Sequence, residues 1–241
     1  MAWLAVGVMS VIAGVVQTVT GFGSVVVLMM ALPFFFDMID APALAIVINQ
    51  VFCMVLYGKY WRHTRWGVAL VPTVLYSAAS LVTIRLATAV PTRALVIALG
   101  VFLMCLSVYF LAVAARIRLK PHRWVGAACG ALSGASAGLF AIGGPPMALY
   151  FINACDTHLE YLACMQFLFS VTGAVSLIGR IANGVLHPAI LPYGALGTVG
   201  ILAGIRLGEK INGKLDAARA RTVVYAFVGV SGLILLLQNA L

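Results

Sequence analysis

Two glycine-containing breaks interrupt very apolar sequence, and they lie about half a chain length apart. The first reads Thr20-Gly21-Phe22-Gly23-Ser24, and the second reads Ala141-Ile142-Gly143-Gly144-Pro145-Pro146. Hydrocarbon cannot hydrogen-bond the backbone groups that a broken helix leaves open, so a bilayer protein keeps such a break only inside protein or beside a polar cavity. The pair of breaks therefore predicts a membrane protein with a solute site where two half-helices begin.

The composition supports a location in the bilayer. Hydrophobic residues make up 63% of the 241 residues and charged residues 9%. A soluble domain is roughly 45–50% apolar and about 25% charged. The net charge of +9 does not indicate nucleic-acid binding, because the basic residues stand in short loops between apolar runs.

The cysteines and histidines indicate no cofactor or metal site. None of the five cysteines forms a CxxC pair, and no His or carboxylate stands at metal-ligand spacing from them. We interpret the cysteines as small buried hydrophobic residues. The alternative is a thiol that touches a sulfur-containing solute.

Ten apolar segments follow from the hydropathy pattern: about 3–20, 24–36, 41–57, 67–89, 94–115, 125–140, 145–155, 158–180, 187–205 and 221–239. The first lacks the basic start of a secretory signal and is expected to be a retained helix. A membrane-spanning helix needs about 20 residues, so the second and seventh segments are too short to cross upright. Each follows a break, which indicates a broken or re-entrant half-helix. The expected fold is an all-α polytopic membrane protein with about eight full spans.

The basic residues test how the chain crosses the membrane. If each broken pair is a hairpin or two crossings, most of the fifteen Lys and Arg fall on one side, as the positive-inside rule requires. If each pair is one crossing, the two sides are nearly equal. We adopt the first arrangement, with both termini periplasmic. The residues on the basic side are Lys59, Arg62, Arg65, Arg116, Arg118, Lys120, Arg123, Arg206, Lys210, Lys214, Arg219 and Arg221, and those on the other side are Arg85, Arg93 and Arg180.

The chain reads as a duplication of residues 1–120 and 121–241, which together form one integral membrane domain. An offset of 120 places residues 21–24 on 141–144 and Pro72 on Pro192. Five segments per half place the second half in the opposite orientation, so the repeats are predicted to be inverted. Glycines recur every fourth residue from Gly126 to Gly138 and from Gly200 to Gly208. We expect these strips to allow close helix packing, with a sliding surface as the alternative.

The residues around both breaks resemble the TauE/SafE sulfite-exporter family of membrane permeases. The matching stretches are 14–36 and 134–151, and the more specific part, 138–150, reads GLFAIGGPPMALY. The resemblance implies a duplicated unit in which each half has an apolar helix, a Gly-x-Gly type break and a second apolar piece. It also implies export or exchange of small anions, typically sulfite or organosulfur and sulfonate compounds, across a bacterial inner membrane.

The breaks themselves favour an anion. Ser24 is a candidate N-cap for a half-helix over residues 25–36, while Pro145 and Pro146 fit the first turn of a half-helix that runs to Phe151. Each helix start exposes unpaired N–H groups and roughly half a positive charge. We predict that the two starts meet near the midplane and hold a small anion without any Lys or Arg inside the membrane.

The predicted substrate-binding residues are the two breaks and neutral polar side chains near them. They are Gln17, Thr20, Gly21, Phe22, Gly23, Ser24, Asn49, Gln50, Ile142, Gly143, Gly144, Pro145, Pro146, Gln166 and Ser170. We prefer Thr20, Ser24, Asn49 and Gln50 as binders. For each polar side chain, the alternative is a hydrogen bond between helices.

The favoured function is a secondary transporter of a small anion; an anion-selective channel and a non-transporting assembly subunit are the alternatives. The sequence shows no nucleophile–base pair or metal cluster at membrane depth, so we do not expect an enzyme. Its carboxylates fall at segment ends or in loops, with Asp37/Asp40 and Asp156/Glu160 at matching places. Loop solvation is their expected role, and gating or proton coupling is the alternative. The expected partners are the anionic solute and membrane lipid, and homo-oligomer formation is left open.

Overall fold

The computed structural model describes residues 1–113, 122–211 and 217–240, and these fold into ten α-helices without strands. The helices are α1 (Ala2–Thr20), α2 (Ser24–Met29), α3 (Asp40–Tyr60), α4 (Trp66–Thr88), α5 (Thr92–Val108), α6 (Arg123–Phe140), α7 (Gly144–Ala154), α8 (His158–Ala182), α9 (Leu191–Ile211) and α10 (Ala217–Ala240). Each predicted segment overlaps one helix. The second and fifth differ in length: α2 ends at Met29 and a separate 3₁₀ turn, Leu32–Phe34, follows, while α5 ends at Val108 and a π-helical turn, Tyr109–Val113, follows. Residues 114–115 of the fifth segment lie outside the described residues.

Six of the described helical stretches are long and apolar enough to cross a membrane, which makes this a multi-pass membrane protein. They are Ala2–Thr20, Asp40–His63, Trp66–Thr88, Thr92–Ala112, His158–Ala182 and Pro188–Lys210. Of the eight spans expected, α6 and α10 are not among these six. Glycine and serine lower the hydropathy of α6, and the described side chains of α10 form the shorter apolar stretch Tyr225–Gln238.

The two breaks form by different backbone conformations. Gly21 and Gly23 both have positive φ values, 81° and 106°, which glycine adopts without a Cβ clash. In the second break the left-handed residue is Ala141, with φ 60°, and its N–H bonds the carbonyl of Ala137 at 2.8 Å. Gly143 is therefore required for close packing rather than for the turn: a Cβ on Gly143 would lie 2.6 Å from the carbonyl oxygen of Ser133.

The packing partners are exchanged between the two halves of the chain. Helix α1 packs along α9, and α6, which occupies the corresponding place in the second half, packs along α4. In the same way α3 contacts α9 while α8 contacts α4. The central pair is α3 and α8, whose apolar windows are 61% and 44% buried, compared with 28% for α1.

The glycine strips lie at these helix contacts, as predicted. A Cβ on Gly134 of α6 would lie 2.8 Å from the Cα of Tyr76 in α4, and a Cβ on Gly204 of α9 would lie 2.9 Å from the Cα of Gly14 in α1. Backbones at such distances leave no room for a larger side chain.

Side-chain contacts between ionisable residues join the ends of α3 and α8, so these two neighbouring helices run antiparallel. Asp40, at the start of α3, lies 2.7 Å from His187, which follows α8. Asp156, just before α8, lies 2.7 Å from Arg65, which follows α3, and Glu160 lies 3.5 Å from the same guanidinium. These carboxylates are therefore paired rather than simply solvated in loops.

Several basic residues expected in loops lie in helices. Arg85 is an exposed residue in the last turn of α4, and Arg180 is a buried residue inside α8. The hydropathy pattern ends the eighth predicted segment at residue 180, but α8 continues to Ala182. Arg116, Arg118, Lys120 and Lys214 lie outside the described residues, and the side chains of Arg219 and Arg221 are likewise not described.

Candidate solute site

A cavity of about 40 Å³ lies between the two breaks and is lined by both halves of the chain. Its lining residues are Gln17, Gly23, Val25, Val26, Ile46, Asn49, Gln50, Tyr76, Ser80, Ala137, Ala141, Ile142, Gly143, Gly144, Phe169, Thr172, Gly173 and Ser176. None of these carries a formal charge. The polar groups of the lining are therefore amides, hydroxyls and backbone dipoles, set among apolar side chains.

The first break is organised by Gln17, which is 1% exposed. Its Oε1 accepts a hydrogen bond from the backbone N–H of Ser24 at 3.1 Å, so Gln17 caps the start of α2. Its Nε2 lies 3.7 Å from the Sγ of Cys53. The prediction that Ser24 caps this helix with its own side chain was wrong: Gly23 is the cap residue, and the Ser24 hydroxyl donates to Oδ1 of Asn49 at 2.6 Å.

Asn49 connects the break to α3. Its Oδ1 accepts from Ser24, and its Nδ2 lies 3.3 Å from the Sγ of Cys53. Cys53 is fully buried and does not line the cavity, which agrees with its interpretation as a buried residue. The thiol fixes the two amides of Gln17 and Asn49 in place.

Two other polar side chains, of Thr20 and Gln166, hydrogen-bond the backbone of the first break and do not line the cavity. The Thr20 hydroxyl lies within hydrogen-bond distance of the carbonyls of Val16 and Phe22. Gln166 of α8 donates from Nε2 to the carbonyl of Gly21 at 3.2 Å. Side chains of the second half of the chain thus fix the first break.

The two breaks lie close to each other at Phe22 and Gly144. A Cβ placed on Gly144 would come 3.3 Å from the Phe22 ring. Pro145 and Pro146 occupy the first turn of α7, as predicted, and they remove two of the N–H groups that this helix start would otherwise offer. Pro145 and Phe22 instead line a separate cavity of about 70 Å³, and neither of these two residues lines the central cavity.

The structure brings together some of the predicted residues. Those that line the central cavity are Gln17, Gly23, Asn49, Gln50, Ile142, Gly143 and Gly144, and those that do not are Thr20, Gly21, Phe22, Ser24, Pro145, Pro146, Gln166 and Ser170. Ser170 contributes its backbone carbonyl, which accepts from Nε2 of Gln50 at 2.9 Å.

Four polar lining residues were not predicted: Tyr76, Ser80, Thr172 and Ser176. They come from α4 and α8, far from either break in the sequence. The Tyr76 hydroxyl is hydrogen-bonded to the side chain of Thr172. Their signal in the sequence is a polar side chain in the middle of an apolar segment, at the helical spacing of four residues for Tyr76/Ser80 and Thr172/Ser176.

Broken helices that meet at a polar cavity inside a multi-pass bundle are typical of membrane transporters. The chain belongs to the TauE/SafE family. The sequence model of that family, described as "Sulfite exporter TauE/SafE", matches residues 6–235, nearly the whole chain. The family consists of transporters, so membership assigns the chain to transport rather than to catalysis. No curated protein and no solved structure gives a significant match.

Proposed function

We propose that the protein transports a small oxyanion, sulfite or an organosulfur or sulfonate compound, and binds it in the cavity between the breaks. The observation that carries this proposal is the close approach of the two breaks at Phe22 and Gly144, beside a cavity whose polar groups are all neutral. A site without a fixed cation binds an anion through dipoles and releases it readily, which a transport cycle requires.

The donors available to an anion are mainly side-chain amides. Gln17, Asn49 and Gln50 line the cavity, and each amide NH₂ has a second N–H besides the one directed at Cys53 or Ser170. Helix α2 has only six residues and α7 begins with two prolines, so the helix dipoles contribute less than two full half-helices would. The amides therefore take over part of the role that we predicted for the helix starts.

The size of the cavity favours a small solute. A cavity needs about 10–15 Å³ to hold one water molecule, so the cavity of about 40 Å³ has room for roughly three water-sized groups. Sulfite, with four heavy atoms, is close to this limit. Larger sulfonates require the cavity to widen, which a moving transporter permits.

The two halves are proposed to be inverted repeats that open the cavity alternately to each side. The exchange of packing partners between the halves and the antiparallel run of α3 and α8 support this. Side-chain pairs stand at both ends of this helix pair: Asp40 with His187 at one end, and Arg65 with Asp156 and Glu160 at the other. Exposed pairs of this kind are weak, about 0–1 kcal/mol, so they can break and form during transport.

The membrane potential is the proposed driving force. With the cell interior negative, moving a dianion outward releases about 4.6 kcal/mol at 100 mV. A bacterial inner membrane with both termini in the periplasm follows from the resemblance and the loop charges, and it remains a prediction.

A thermal-shift screen of detergent-purified protein tests the function. The ligands are sulfite, sulfate, thiosulfate, sulfonates, carboxylates and chloride. Stabilisation by sulfur oxyanions supports the proposal, whereas a response only to cations or neutral solutes contradicts it. Saturable exchange in liposomes then separates a carrier from a channel.

A further inference from the structure

Arg180 is a buried cation on α8 that no carboxylate of the described residues pairs. Only 4% of its surface is exposed. Its Nη2 donates to the carbonyl of Gly138 at 3.1 Å, and its Nε has no hydrogen-bond partner in the described part of the chain. The ion pairs found there involve other side chains. A guanidinium inside an apolar bundle is costly unless an anion meets it.

A structural role accounts for one of its contacts. The carbonyl of Gly138 belongs to the last turn of α6, where carbonyls lack intrahelical partners and a nearby cation is favourable. Arg180 therefore helps to end α6 before the second break. That contact leaves the buried Nε unused, so it does not explain the whole side chain.

Two serine hydroxyls near Arg180 are also without partners. Ser176 precedes Arg180 by one turn of α8, so the two residues lie on the same face. Ser80 of α4 lies against Gly138, where a Cβ would come 2.6 Å from the Ser80 carbonyl oxygen. Ser80 and Ser176 are 0% and 4% exposed, and neither hydroxyl has a hydrogen-bond partner among the residues described.

These three groups adjoin the central cavity. Ser80 and Ser176 both line it, and Ala137, the neighbour of the Gly138 that Arg180 contacts, lines it as well. Buried polar groups in proteins nearly always have partners. Three unused donors at one junction of α4, α6 and α8 therefore indicate an acceptor that binds there.

We propose that Arg180, Ser80 and Ser176 form an oxyanion subsite at the edge of the central cavity, where the two serines line it. Its ligand carries at least two oxygens on one atom, as sulfite, sulfate and sulfonates do, because the planar guanidinium can donate to two oxygens at once. The inference rests on the proposed function: the anion passes between this charged subsite and the neutral cavity during transport. The subsite attracts the anion, and the cavity releases it.

Sulfite titration of the purified full-length protein, followed by thermal shift, tests the subsite. Arg180→Gln and the double variant S80A/S176A are expected to need at least tenfold more sulfite for half-maximal stabilisation, since each removes buried hydrogen bonds to the anion. Arg180→Lys keeps the positive charge but loses the planar guanidinium that can donate to two oxygens at once. This variant is therefore expected to lose the preference for sulfite over chloride. Arg206→Gln, at an exposed position of α9, is the matched control and should behave as wild type.

Two outcomes separate this inference from the function on which it rests. If wild type responds to sulfite and both subsite variants respond with the same half-maximal concentration, the subsite is wrong and the proposed function stands. If wild type itself shows no response to sulfite, both fail. Should Arg180→Gln not fold, the serine double variant decides the question alone, because it keeps the Arg180 contact with Gly138.

Discussion

Gln50 and Ser170 stand 120 residues apart in the sequence and touch at the centre of the structure. The Nε2 of Gln50 in α3 donates to the backbone carbonyl of Ser170 in α8 at 2.9 Å. An offset of 120 is also the spacing that aligns the two breaks, so the two residues hold corresponding places in the proposed repeats. Their contact marks where the halves meet, beside the cavity that Gln50 lines.

Asn49→Asp is expected to abolish anion binding while the protein still folds. The new carboxylate keeps the acceptor for the Ser24 hydroxyl but places a negative charge at the cavity wall, where it repels the solute. Sulfite-dependent thermal shift measures the effect. Gln238→Glu is the control, because it makes the same amide-to-carboxylate change at an exposed position of α10 that does not line the cavity. Normal sulfite binding by Asn49→Asp would contradict the site.

Gln17→Leu and Gln166→Leu should differ in kinetics, because only Gln17 lines the cavity. Gln17→Leu removes a donor to the anion and is expected to raise the KM of sulfite transport. Gln166→Leu removes the hydrogen bond to the Gly21 carbonyl and is expected to lower the maximal rate with KM nearly unchanged. Transport assays in proteoliposomes over a range of sulfite concentrations give both values. A raised KM for Gln166→Leu together with an unchanged KM for Gln17→Leu would contradict the assignment of Gln17 to the solute site.

Gly134→Ala is expected to destabilise the protein by about 1–3 kcal/mol, the usual cost of overpacking. The added Cβ would lie 2.8 Å from the Tyr76 Cα, and neither backbone can move without separating α4 from α6. Gly58→Ala is the control, since nothing lies within 4 Å of its Cβ and alanine favours a helix. The melting temperatures of the two variants in detergent measure the difference. Equal temperatures would show that the strip is not a packing contact.

The inverted orientation predicts which loops are reached from outside the cell. In a variant without native cysteines, His187→Cys should react with a membrane-impermeant maleimide in intact cells. His63→Cys should react only after the membrane is opened, because its loop carries Lys59, Arg62 and Arg65 on the predicted cytoplasmic side. Labelling of both cysteines from the same side would contradict the antiparallel run of α3 and α8.

The helical segments were predictable because length and hydropathy determine them. A continuous apolar run in hydrocarbon must satisfy its backbone internally, so each of the ten segments became a helix. The meeting of the breaks at a polar cavity also followed, since loose backbone has no other stable place in a bilayer. The prediction of α2 as a long half-helix failed because Leu32–Phe34 forms a separate turn.

Which side chains line the cavity was less predictable, because this depends on how each helix is rotated about its own axis. Tyr76 lies on α4, which packs against the glycine strip of α6, and the strip's sequence pattern predicts close packing but not which helix is its partner. Ser24 looked like a cap by residue type, but a buried Gln17 seven residues earlier reached the same N–H. Arg180 looked like a loop charge because hydropathy falls at its position, although the helix continues past it.

The location of the bound anion is the most direct test of the central claim. Selenite resembles sulfite, and its selenium atom gives an anomalous X-ray signal in crystals of the protein grown with the salt. The account predicts an anomalous peak in the cavity between Asn49 and Gly143, where the two breaks meet. Peaks found only at the protein surface, or none in a protein whose melting temperature selenite raises, would contradict it.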